Sequence, residues 1–85
     1  MRFTTNQHKF AMRLTQKERD LLLEDRLFIP PGICKIIRET PLHQPVELSI
    51  GDWETISGWL ASEANHTKDK KWERQLDRLF QKLPV

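Results

Sequence analysis

Lysine and arginine recur through the last third of the chain in positions that could hold an anion. Lys68, Lys70 and Lys71 cluster at the start of a predicted helix, and Arg74, Arg78 and Lys82 follow Lys70 at every fourth residue. That spacing puts Lys70, Arg74, Arg78 and Lys82 on one side of a helix, a basic ladder suited to phosphate or carboxylate. Asp69, Glu73 and Asp77 form a shorter acidic ladder beside it. Every four-residue step thus joins like charges, which is mildly destabilising in a helix, so the basic ladder is a candidate contact surface.

The helix start adds a second hint. Free amides and the positive end of the helix dipole favour anions there, yet three lysines face only Asp69. Two readings follow. A phosphate or a partner's carboxylate binds, with Asn65 and Thr67 adding polar contacts, or the lysines point into water over a frayed first turn. The second is the plainer and is preferred.

Catalysis has little support. His8, His43 and His66 fall in three different predicted elements, none beside a nucleophile motif, and a small enzyme would need three of Asn65, His66, Thr67 and Asp69 to converge. There is no phosphate-cradling glycine loop, no His-Glu-x-x-His and no calcium loop. The chain is therefore read as non-enzymatic, with no catalytic, cofactor or metal site. Its single cysteine, Cys34, excludes an internal disulfide, suits a reducing compartment and reads as a small buried apolar side chain.

Eighty-five residues allow one core, and the aromatic, leucine and isoleucine content argues for a folded chain. No apolar run exceeds three residues, so no membrane span is expected, and Met1-Arg2-Phe3 does not open a signal peptide; the expected location is the cytoplasm. A net charge of +2 implies no partner by itself. Its distribution is uneven: Arg2, Lys9, Arg13 and Lys17 stand in an acid-free start, and residues 49–64 carry Asp52, Glu54 and Glu63 with no base. These segments either attract one another, are merely solvated, or meet a partner; the first two are the plainer readings.

Periodicity supplies the elements. Phe10, Met12 and Leu14 alternate as in a strand over 10–14, and Val46, Leu48 and Ile50 do so over 46–50. Thr15 and Glu18 form a capping box that starts a helix over about 16–26, burying Leu22 and one or both of Leu21 and Leu23. Pro30-Pro31-Gly32 stops it, and Pro31 can open a second helix in which Ile33, Ile36 and Ile37 share a face, although a strand also suits them. Ser49 and Asp52 repeat the start signal for a third helix carrying Trp53, Ile56, Leu60 and Ala64 on one face. The fourth carries Trp72, Leu76, Leu79, Phe80 and Leu83, and Pro84 ends it. An offset of 34 residues superposes Leu14-Thr15 on Leu48-Ser49, which suggests two strand-helix-helix units whose strands pair antiparallel.

The tryptophans divide. Trp53 and Trp72 lie at the centres of their stripes and are expected to face each other across the core. Trp59 sits about 100° from the centre of its stripe, at a boundary or exposed, where it covers the core's rim or anchors a partner. Gly58 beside it costs about 1 kcal/mol relative to alanine inside a helix, which suggests close approach by the first helix or by a second subunit.

The stretch Ala61-Ser62-Glu63-Ala64-Asn65-His66-Thr67-Lys68-Asp69-Lys70-Lys71, followed by Leu76-Asp77-Arg78-Leu79-Phe80, resembles a domain of small uncharacterised bacterial proteins. Leu14-Thr15-Gln16-Lys17-Glu18-Arg19 would fit its first helix. The resemblance implies that the Asn65-His66-Thr67 turn is a fixed element of the fold, and it implies no activity.

The expected fold is mainly α: a small four-helix domain over 10–83 with a short two-stranded antiparallel β pair, preceded by a basic segment at 1–9. Its core would hold Leu22, Ile36, Leu48, Trp53, Ile56, Leu60, Trp72, Leu76, Leu79 and Phe80. The expected function is a protein-interaction module, binding a protein partner or itself, with Lys68, Lys70, Lys71, Arg74, Arg78, Lys82 and Trp59 as candidate contacts. The alternative is nucleic-acid binding through the same basic face, helped by Arg2, Lys9, Arg13 and Lys17.

Overall fold

The computed structural model describes residues 9–83; expectations placed on Arg2, His8, most of the 1–9 segment and Pro84 lie outside them. Two strands and four helices follow in the order β1 (Lys9–Met12), α1 (Gln16–Leu22), α2 (Pro31–Glu39), β2 (Val46–Ser49), α3 (Ile50–His66) and α4 (Lys70–Lys82). This is strand-helix-helix twice over. The strands pair antiparallel, with Lys9 opposite Ser49 and Met12 opposite Val46. Met12, Val46 and Leu48 enter the core while Glu47 faces out, as a pleat with one buried face requires.

Both units begin the same way. The Thr15 hydroxyl accepts from the Glu18 amide at 3.2 Å while the Glu18 carboxylate accepts from the Thr15 amide at 2.8 Å, completing the capping box. Thirty-four residues on, Ser49 Oγ accepts from the Asp52 amide at 3.1 Å. The offset between the two start signals is therefore structural.

Helix α1 stops at Leu22, four residues short of the expected end, because the chain turns there to bury Leu27 and Ile29. Hydrogen bonds from the Glu24 amide to Leu21 O and from the Leu27 amide to Glu24 O close those turns. Pro31 opens α2 at its first turn, where its missing donor costs nothing.

The core holds eight of the ten expected residues together with Met12, Leu14, Leu21, Leu27, Ile29, Ile33, Ile37, Val46, Ala64 and Leu83. Ile36 and Phe80 are corrections, 38% and 40% exposed. In α2 the buried pair is Ile33 and Ile37, which leaves Ile36 about 100° round the helix from Ile37. In α4 the stripe runs through Trp72, Leu76, Leu79 and Leu83, and Phe80 lies about 70° from its centre.

The two buried tryptophans also depart from expectation. Trp72 Nε1 donates to Glu63 near the end of α3, whereas Trp53 Nε1 donates to Phe10 O in β1. Ten helical residues, about 15 Å, separate Trp53 from Glu63. Each indole seals one end of the α3–α4 hairpin, and they do not face each other.

Candidate interaction surfaces

Asp69 settles what happens at the lysine-rich start of α4. Its Oδ1 accepts from the amides of Lys71 at 3.0 Å and Trp72 at 3.1 Å, and its own amide donates to Thr67 Oγ1 at 3.2 Å. The aspartate is the N-cap, so the anion the helix end favours is supplied by the chain. An external phosphate is not needed to explain the lysines, and the first turn has no reason to fray. Lys68, Lys70 and Lys71 extend into solvent around the cap.

The basic ladder is uneven. Lys70 pairs with Glu73 at 3.8 Å, and Lys82 Nζ donates to Glu18 Oε1 at 2.7 Å, tying α4 to α1. Arg74 Nε reaches only the carbonyl of Lys70 at 3.5 Å, and Arg78 lines a groove of about 400 Å³ between α1 and α4. Arg74, Arg78, Lys68 and Lys71 make no ion pair among the described residues. Only part of the ladder is thus available to a partner.

Burial alone would push the Glu18 carboxyl up. Hydrogen bonds from Lys82 and Thr15, with the lysine's charge, outweigh it and hold that carboxyl below the usual glutamate range.

Trp59 projects from α3 onto Phe28, which leads from the α1 turns towards α2. Their ring centroids are 6.0 Å apart and the planes are inclined at 57°, a tilted aromatic pair. Trp59 is 37% exposed and Phe28 is 71% exposed. Trp59 stands where its helical angle predicts, but Phe28 was legible only as one residue of the apolar run Leu27-Phe28-Ile29. Nothing in local spacing marks it as the one that faces water.

Gly58 does not fulfil the expectation of close approach within the chain. A methyl group built there meets nothing within 4 Å, so α3 is open at Gly58 and α1 does not press on it.

Two arginines escape sequence reasoning. Arg26 lies with its guanidinium carbon 3.8 Å from the centroid of the Trp72 ring, with Glu24 at 3.7 Å and Asp69 at 3.9 Å. Arg19 is 5% exposed and donates to the carbonyls of Ile37, Thr40, Pro41 and Gln44. It binds the end of α2 to the loop before β2, a cation set against the negative end of a helix. No carboxylate neighbours it in sequence at helical contact spacing to suggest burial; its partners are backbone.

The residues a small enzyme would require do not converge. His66 Nδ1 is 2.7 Å from Ser62 O, Asn65 is exposed, and Thr67 and Asp69 are spent on the turn into α4. Among the described residues no three histidine, cysteine or acidic side chains are grouped to hold a metal, and no helix is long and apolar enough to cross a membrane. Comparisons with protein families, with curated proteins and with solved structures find no match. Fold and surface define a small, mainly helical β-α-α-β-α-α domain with an exposed aromatic pair.

Proposed function

We propose that this domain is a non-enzymatic protein-interaction module of the cytoplasm, with Phe28 and Trp59 at the centre of its contact surface. The observation that carries this reading is the exposed pair itself. Phe28 leaves most of its surface in water although the core beside it is closed by Leu27 and Ile29. Burying an aromatic ring on a partner recovers that apolar area, and tryptophan is enriched among residues that dominate binding energy. The lone Cys34, with no disulfide available to it, supports a reducing compartment.

Nucleic-acid binding is the second reading, favoured by the unpaired Arg74, Arg78, Lys68 and Lys71. Against it stand the internal use of Lys82, the Lys70–Glu73 pair and the acidic residues on the same helix. Site-specific photocrosslinking separates the two. A crosslinker at position 28 or 59 in cells carrying the protein should yield discrete protein adducts, and one at 74 or 78 should not. Nuclease-sensitive adducts at 74 and 78, with none at 28 and 59, would reverse the assignment.

A further inference from the structure

Resting on that reading of the aromatic surface, we propose that its partner presents an arginine-bearing basic segment, with a guanidinium stacked on Trp59 and its charge met by the surrounding carboxylates. The chain already contains such an arrangement. Arg26 lies 3.8 Å over the Trp72 ring with Glu24 and Asp69 within 4 Å, so an indole face between two acids holds a guanidinium in this fold.

Trp59 offers an exposed indole with carboxylates at wider spacing and no lysine or arginine on its own helix. Asp52 and Glu63 lie seven and four residues from it on the same side of α3, and Asp25 precedes Phe28 in the turn that delivers the ring. Asp25 and Asp52 make no ion pair among the described residues, and Glu63 is held only through one oxygen by Trp72 Nε1. Arg26, the cation nearest Phe28 in sequence, is spent on Glu24, Asp69 and the Trp72 ring, so the carboxylates of Asp25 and Asp52 are left without an ion pair among the described residues, and Phe28 gives the aliphatic stem of an arginine or lysine an apolar bed.

The same charges decide against other occupants. Two copies meeting through the Trp59 side of α3 would bring Asp52 and Glu63 of both chains together with no lysine or arginine in either helix. A nucleic-acid backbone would meet the same repulsion.

The test is titration of the full, nitrogen-labelled chain with short leucine-alanine peptides carrying arginine, glutamine or glutamate at matched positions, following the three indole N–H signals and the amides. The arginine peptide should move the Trp59 indole and amides within 24–30 and 52–63, and the glutamate peptide should move none of them. Asp25→Asn combined with Asp52→Asn, which leaves the rings in place, should weaken the arginine peptide about tenfold. Equal binding of the glutamine peptide would overturn the charge inference yet keep the aromatic surface as a protein contact. No movement of Trp59 by any peptide would overturn both. Shifts that grow with protein concentration alone would assign the surface to a second copy and overturn the basic partner.

Discussion

Lys82 Nζ lies 2.7 Å from Glu18 Oε1, the same oxygen that accepts from the Thr15 amide. One carboxylate thereby completes the capping box of α1 and anchors the last turn of α4, elements 64 residues apart. Lys70, Arg74 and Arg78 have no ion pair to another helix among the described residues, so Lys82 alone of the four ladder cations ties α4 to α1.

Stability should consequently fall in acid partly through Glu18. Its carboxyl is held below the usual range in the folded chain, so its contribution is complete above the unfolded value of about 4.3 and is lost as pH falls through the lower folded value. Lys82→Met should cost about 0.5 kcal/mol at neutral pH, the lysine being partly exposed. Urea unfolding at pH 7 and pH 3 checks this: Glu18→Gln should show a shallower loss of stability on acidification than the parent. An identical loss would remove Glu18 from the account.

Arg19 should be the costliest polar residue to replace. Arg19→Met removes the donors to four carbonyls of the α2 end and the following loop, of which Pro41 O alone keeps a backbone donor among the described residues, the Gln44 amide at 3.0 Å. A loss of about 3 kcal/mol is expected from equilibrium unfolding, with faster amide exchange at 40–44. Arg19→Lys should retain part of the stability, because one ammonium cannot reproduce the guanidinium fork. A neutral Arg19→Met would show that the carbonyls rehydrate freely.

The contrast between these residues shows what was legible. The Thr15–Glu18 box, the Ser49 cap, Pro31 at a helix start and the buried Leu76 and Leu79 all depend on neighbours within four residues, and local spacing finds them. The pairing of β1 with β2 was legible through matching alternation. Arg19, Arg26 and Phe28 are set by where the turns after α1 and α2 travel, which no local period encodes. Ile36 and Phe80 share the remaining difficulty: a stripe wider than the neighbouring elements can cover leaves one edge exposed, and that width is a tertiary quantity.

Asp69 should matter more to α4 than any of the lysines around it. Its carboxylate satisfies two of the helix's free amides, so Asp69→Ala should cost about 1 kcal/mol and increase amide exchange at Lys71 and Trp72. Lys68→Ala and Lys71→Ala should change stability by less than about 0.5 kcal/mol. If phosphate protected the Asp69→Ala variant but not the parent, the vacated cap would be shown to accept an external anion.

Gly58→Ala should stabilise the domain. The added methyl group meets no atom within 4 Å and the site is internal to α3, so the gain is the helix preference of alanine over glycine, about 0.5–1 kcal/mol. Thermal or urea unfolding of the isolated chain reads it directly, and a loss of stability would mean that α3 is held by a contact on this side. The same substitution separates fold from function. Gly58 lies on α3 next to Trp59 in sequence but about 100° round the helix, so a partner confined to the aromatic pair should bind the variant unchanged. A variant that gains stability yet loses the crosslinks from position 59 would show that the partner also needs close backbone approach at Gly58.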